Sequence, residues 1–416
     1  MVFKNKKTRS PVYSAVLVTF GTLFIPNWGP KVVEATPKPL PQIPHDIPEQ
    51  GPDGVIRIAT EAGLRPTTIH SELQRRLSTY IRNSHNPIAA VTVLDAKTGQ
   101  VLAMVQGRNP ADWGGKTHSA LHIGFPAASL FKTVVATAAF EMAGVAPLDP
   151  IGLYGGCQHV RASGVWMKEE VPGRQNRMNL RRAFGHSCNG FFAKLSLNYV
   201  GVHIIKNFAK RYGWESGIPT DFYLEQSPFR PPSAENSSTH TVGRFAAGFG
   251  YVGISSVHAA HIMLTVANRG AFLPVRLFAD TPEADKSLMQ EKIYSEDTAD
   301  NLLSVMDASV RTFGGTASGA FRRGKTRRLR NKVGGKTGTL TGRSPKGITT
   351  WFAGMMPIEN PEIIVAAVVI LDSNKWYIKG PNLAAEAFWT YEQLKKQGEF
   401  PITAALTPIA GKTSKN

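Results

Sequence analysis

The stretch Pro126-Ala127-Ala128-Ser129-Leu130-Phe131-Lys132 constrains this chain most. Pro126 fixes a backbone angle and reads as the end of a turn. From Ser129 the run SLFKTVVATAAFEMA is rich in helix formers and stops at Gly144, which predicts a helix. Residues three apart share a helical face, so the Ser129 hydroxyl stands at a helix start with the Lys132 amine one turn along. A serine hydroxyl is a poor nucleophile until a base takes its proton, and a desolvated, neutral lysine is such a base. The competing reading is a capping serine beside a surface lysine. No other serine in the chain has lysine three residues on.

Two further motifs follow in order. Ser187-Cys188-Asn189 lies between Gly185 and Gly190 and precedes the helical run FFAKLSLNYV; Lys336-Thr337-Gly338-Thr339 follows Gly334-Gly335. Each has decoys. Lys97-Thr98-Gly99 separates the apolar runs AAVTVLD and QVLAMVQ, the place of a hairpin turn. Ser196-Leu197-Asn198 falls inside the next helix, and Ser414-Lys415-Asn416 is the C-terminal tail. One choice of the three motifs keeps a consistent order. Ser-x-x-Lys, Ser-x-Asn and Lys-Thr-Gly are the motif set of penicillin-binding proteins and class A β-lactamases, and the chain resembles the penicillin-binding transpeptidase family.

The resemblance extends over roughly 65–396. It includes T-T-I-x-x-x-L-Q at 67–74, the segment LDAKTGQVLAMV, G-x-G at 248–250, I-S-x-x-x-x-A, A-N-x-G and the G-T-A at 315–317. The residue patterns predict helices over 67–82, 256–268, 295–311 and 382–395, and strands over 89–95, 100–106, 334–341, 349–357 and 362–371. Segments 107–128 and 145–186 read as irregular, and the loop-rich 211–236 is expected to frame an active-site mouth. The resemblance implies an α/β (α+β) β-lactamase/transpeptidase-like fold: a mostly antiparallel five-stranded sheet flanked by helices, plus a helical subdomain carrying the first two motifs.

The 416 residues suit one large domain or two modest ones, and 42% hydrophobic with 19% charged residues is globular. Lys4, Lys6, Lys7 and Arg9 precede the apolar, uncharged 11–25, a pattern of export. Residues 1–35 are therefore a signal peptide or membrane anchor, and the folded part is expected in the periplasm or on the extracytoplasmic face of the membrane. Six prolines mark 36–54 as a stiff, solvated linker. The penicillin-binding transpeptidase domain is expected over 55–400, with a tail over 401–416. No glycosyltransferase module or large N-terminal domain fits before residue 65.

The resemblance also implies roles. Ser129 is the acyl-enzyme nucleophile and Lys132 its base. Ser187 relays a proton to the leaving amine, and Asn189 fixes Lys132 and meets the substrate amide. Lys336 supplies positive potential; Thr337, Gly338 and Thr339 form the substrate-binding strand. The backbone N–H groups of Ser129 and Thr339 form the oxyanion hole. The substrate is a peptidoglycan stem peptide ending in D-Ala-D-Ala, and β-lactams are covalent inhibitors. No cofactor or metal is implied, and the 11 histidines show no metal-ligand spacing. His186 reads as a loop residue rather than a second base.

Alternatives to a crosslinking transpeptidase are a D,D-carboxypeptidase, a β-lactamase using Glu225 to activate water, and a penicillin-binding sensor or scaffold. Glu225 lacks the asparagine expected shortly after it, which favours penicillin binding. Cys157 and Cys188 form a disulfide or remain buried thiols; the sequence leaves both open. The net charge is +18, with Arg322, Arg323, Lys325, Arg327, Arg328, Arg330 and Lys332 as the densest run. That run is a solvated loop or a docking patch for anionic wall polymer or a membrane surface. Export argues against nucleic acid.

Overall fold

The computed structural model describes residues 39–400 apart from 49, 87, 108–117, 154–155, 158–159, 168–175, 234, 283–291, 344–345 and 372–377. The expected leader and tail lie outside the described residues. The ribbon β1 (Arg57–Thr60) and β2 (Gly63–Pro66) leads to helix α1 (Ser71–Asn83). The predicted start at 67 is four residues early. The β-branched Thr67 and Thr68 stay extended, and their hydroxyls bond the carbonyls of Ile56 and Val101. His70 is the N-cap, and Leu73, Leu77 and Ile81 form the buried face at a four-residue spacing.

The hairpin β3 (Ile88–Asp95) and β4 (Val101–Gln106) turns through Lys97 and Gly99, the latter at φ +71°. Next come helix α2 (Lys132–Met142), the ribbon β5 (Pro150–Gly152) and β6 (Arg177–Asn179), and helices α3 (Leu180–Gly185), α4 (Asn189–Leu195) and α5 (Val202–Arg211). Strand β7 (Phe229–Arg230) pairs β8 (Tyr251–Val252) across helix α6 (Thr239–Ala246). Helix α7 (Ser256–Ala267) follows. The single helix expected over 295–311 is two, α8 (Glu296–Met306) and α9 (Ala308–Arg311), divided at Asp307, whose carboxylate takes an ion pair from Arg181 at 2.7 Å. The chain closes with β9 (Gly334–Arg343), β10 (Lys346–Met356), β11 (Ile363–Leu371) and helix α10 (Gly380–Lys396).

The central sheet has the order β4-β3-β11-β10-β9, antiparallel throughout. Every residue of β11, IIVAAVVIL, is buried, because both faces of the sheet are covered. Val365, Ala367 and Val369 face a core with Leu73 and Leu77 of α1 and Leu383 and Phe388 of α10. Ile364, Ala366 and Val368 face the other core, which holds α7 and α2. In α2 every residue from Lys132 to Phe140 is buried, so the helix carrying the first motif runs through the interior.

One expectation needs correction and one reading is sharpened. The proline-rich 36–54 was expected to be solvated, yet Ile43 is buried in the core. Prolines lack N–H groups and offer carbonyls, and the Pro41 carbonyl accepts from the Tyr223 N–H at 2.8 Å. The basic run, read as a solvated loop or a docking patch, stays largely exposed, but it is not irregular throughout. Residues Gly324–Leu329 form a 3-10 helix with Leu329 buried. Lys325 pairs with Glu386 at 2.7 Å, and Arg328 and Lys332 pair with Glu392 at 3.0 and 2.7 Å. Among the described residues, no helix is long and apolar enough to cross a membrane.

Candidate active site

Ser129 lies in a 3-10 turn, Ala128–Phe131, that runs directly into α2. The predicted α-helical start is thus a tighter turn, and with three residues per turn the side chains of Ser129 and Lys132 eclipse. The Lys132 Nζ lies 3.0 Å from the Ser129 Oγ. Neighbouring elements clamp this turn. The Trp351 indole N–H of β10 donates to the Pro126 carbonyl at 2.9 Å, and the Ala127 N–H donates to the Val252 carbonyl at 2.8 Å. Ala128 is held at φ +49°, a conformation that persists only where its surroundings over-determine it. Gly248 allows the approach: a Cβ there would overlap the Ala128 carbonyl.

The second motif turns sharply between α3 and α4, with Ser187 at φ +55°. This aims Ser187 and Asn189 at Lys132. The Lys132 amine lies 2.6 Å from Asn189 Oδ1, 2.8 Å from the Ser187 carbonyl and 3.2 Å from Ser187 Oγ. Lys336 of β9 lies 2.9 Å from the same Ser187 Oγ and donates to the Thr337 carbonyl at 2.9 Å. One hydroxyl therefore sits between two amines, and both lysines are fully buried. Burial, and then the charge of Lys336, hold the Lys132 amine well below the usual lysine range. Burial brings Lys336 down to about 7. With Asn189 and the Ser187 carbonyl accepting its N–H groups, a neutral Lys132 presents its lone pair to the Ser129 hydroxyl.

Ser129, Ser187, Asn189, Thr337 and Thr339 line one cavity of about 280 Å³, with Lys132 and Lys336 beneath it. Gly338, expected to bind substrate, does not line it; a Cβ there would stand 3.2 Å from the Ala127 carbonyl, so it permits close packing of β9 on the nucleophile turn. Thr337 is tied to Thr316 by a 2.6 Å hydroxyl bond. Thr316 belongs to the G-T-A signal, noted in the sequence but not placed in the site. Phe249, Thr350, Trp351 and Lys379 also line the cavity and were missed. Trp351 pairs with Gly338 across the sheet, a neighbour that only strand register reveals. His186 is no plain loop residue: it caps α3 and lines the cavity. Glu225 is exposed, and among the described lining residues there is no carboxylate.

Cys157 and Cys188 are bonded, which decides between the two states the sequence left open. The bond fastens the middle residue of the second motif to the segment before it, where the Cys157 carbonyl also accepts from the Gly190 N–H at 2.9 Å.

Residues 89–388 match the model of the penicillin-binding protein transpeptidase domain. The chain belongs to this family. Solved structures of transpeptidase domains share its fold. The D,D-transpeptidase domain of a peptidoglycan glycosyltransferase from Eggerthella lenta superposes with a TM-score of 0.62 at 22% identity, covering 80% of this chain and 83% of that one. The transpeptidase domain of Burkholderia pseudomallei penicillin-binding protein 3 gives 0.62 at 20% identity, covering 82% and 98%. Penicillin-binding protein 3 of Mycobacterium tuberculosis, solved with aztreonam, gives 0.63 at 19% identity, covering 80% and 79%. A curated relative, the peptidoglycan D,D-transpeptidase FtsI homolog of Mesostigma viride, is 30% identical over 99 residues. That match spans 22% of this chain and 15% of the relative's length. The five-stranded antiparallel sheet with flanking helices is the fold that the family resemblance implied.

Proposed function

We propose that this protein is a serine D,D-transpeptidase that crosslinks peptidoglycan through an acyl-enzyme on Ser129. The observation that carries this reading is the buried Lys132 amine 3.0 Å from the Ser129 hydroxyl. Lys132 takes the Ser129 proton as Oγ attacks the penultimate carbonyl of a stem peptide ending in D-Ala-D-Ala. The proton passes through Ser187 to the departing D-Ala amine. The backbone N–H groups of Ser129 and Thr339 hold the oxyanion, and Lys336 with Thr337 and Thr339 receives the terminal carboxylate. An acceptor amine then resolves the ester. β-Lactams acylate Ser129 by the same first step. Such a substrate lies outside the cytoplasm, which agrees with residues 1–35 acting as a signal or anchor.

Mass spectrometry of the protein with a D-Ala-D-Ala stem peptide, with and without an amine acceptor, tests this. The expected result is an acyl adduct on Ser129, absent in Ser129→Ala, and a crosslinked product when acceptor is present. Persistent labelling of Ser129→Ala by a fluorescent penicillin would overturn the assignment. Hydrolysis that no acceptor diverts would make the enzyme a carboxypeptidase.

A further inference from the structure

Once D-Ala has left with its proton, Lys132 is neutral again, and its contacts with Ser129 and Ser187 commit it to the proton that must return to Ser129 Oγ; Lys336 is committed to Ser187 and the Thr337 carbonyl. The second half-reaction, on the reading above, needs an acceptor amine as a free base. An aliphatic amine has a pKa near that of free lysine, about 10.4, so roughly one molecule in 2,500 is neutral at pH 7. A site with Lys379 in its lining and Lys132 and Lys336 buried at Ser187 disfavours the ammonium further. The ammonium has two protons to lose, Lys132 returns one of them to Ser129, and among the described residues no carboxylate lines the cavity to take the other.

His186 meets that need. It immediately precedes Ser187 and lines the same cavity. Ser129, Ser187 and Asn189 line that same cavity of about 280 Å³. Among the described residues no side chain hydrogen-bonds the imidazole, so its lone pair is uncommitted. The loop beside it packs closely at Gly314, where a Cβ would stand 2.9 Å from the ring Cε1. The charged groups near it are Arg182 on its own helix, Lys379 across the same cavity and, beyond Ser187, Lys132 and Lys336; Gly314 and Thr316 opposite are uncharged. Burial, and then Arg182, keep the ring below the usual imidazole range, so it is neutral at pH 7.

We propose that His186 is the base that deprotonates the acceptor amine. This rests on the transpeptidase reading and extends it to the second half-reaction. The acceptor ammonium gives one proton to the imidazole. The freed lone pair forms the N–C bond to the ester carbonyl, and the C–O bond to Ser129 breaks. The second amine proton returns to Ser129 Oγ through Ser187 and Lys132, and the imidazolium releases its proton to water.

The test separates the two half-reactions in wild type, His186→Gln and His186→Asn. Acylation is followed with a fluorescent penicillin, and transfer by the ratio of aminolysis to hydrolysis of a stem-peptide acyl-enzyme. Both variants should label while their transfer to an alkyl amine falls at least about tenfold, toward the 10²–10⁴-fold typical of a lost general base. Transfer to hydroxylamine, whose nitrogen is already unprotonated at neutral pH, should recover near wild-type rates. The acidic limb of the wild-type transfer profile should vanish in the variants. Unchanged alkyl-amine transfer, or an equal loss with hydroxylamine, overturns the proposal. Lost labelling in both variants also overturns it, by placing His186 in acylation. A wild type that never forms an acyl-enzyme sinks the transpeptidase reading itself.

Discussion

Lys132 and Lys336 are buried side by side around one serine hydroxyl, and among the described residues neither hydrogen-bonds a carboxylate. That arrangement makes the reaction depend on pH in two directions. Acylation should rise with pH as Lys132 loses its proton. It should fall as Lys336, near 7, loses the charge that draws the substrate carboxylate. The expected kcat/KM for acylation is bell-shaped, with apparent values belonging to the pair. In Lys336→Arg the guanidinium stays protonated, so the alkaline limb should disappear; stopped-flow acylation across neutral pH would reveal a limb that persists. The same burial affects stability. Lys336 falls from 10.5 in a free chain to about 7 when folded, so between those values the unfolded chain binds more protons and stability rises with pH. Lys336→Met removes this burden. It should raise the melting temperature at neutral pH by the equivalent of about 1 kcal/mol or more, while acylation drops by orders of magnitude. A lower melting temperature would show that the amine is a net stabiliser.

At the scale of elements, each motif is held by a piece of structure distant in sequence. The disulfide closes a separation of 31 residues around the second motif. A loop of that length implies a stabilisation of about 3–4 kcal/mol in the chain-entropy account. Reduction, or Cys157→Ser with Cys188→Ser, should lower stability by that order and slow acylation, since Ser187 and Asn189 lose their anchor; calorimetry and penicillin labelling measure the two effects. The two Lys-Thr-Gly motifs differ in the same way. Lys97 stands on a hairpin turn with its amine bonded to exposed Asn360, whereas Lys336 lies inside the sheet. Lys97→Ala should acylate at nearly the wild-type rate, and Lys336→Ala should not; equal rates would show the wrong motif was chosen.

Across the whole molecule, the positive charge is partly spent on the fold. Glu392 of α10 is lowered in pKa: burial raises it, but Lys332, Lys396 and Arg328 together outweigh burial. Its contribution is present at neutral pH and fades as pH falls through the lowered value. Arg322, Arg323 and Arg327 remain exposed, with no ion pair to a carboxylate among the described residues. We propose that these three carry any attraction to anionic wall polymer or lipid. Neutralising them should weaken salt-sensitive binding to anionic vesicles or sacculi and leave acylation by a small β-lactam unchanged. Unchanged vesicle and sacculus binding would remove that role. The sequence by itself determined what depends on neighbours along the chain. Ser129 and Lys132 meet within one turn, Gly99 marks a hairpin, and the apolar run of β11 marks a strand. The order of three motifs then identified the family. Tertiary structure alone decided what depends on residues far apart. Which lysine is neutral follows from burial and from bringing Lys132 to Lys336 through Ser187. Trp351 enters the site through sheet register, the two cysteines join because a loop packs on α4, and His186 faces the cavity because the turn at Ser187 aims it there. Local chemistry is written in spacing, but desolvation is a property of the assembled interior, and no window of sequence contains it.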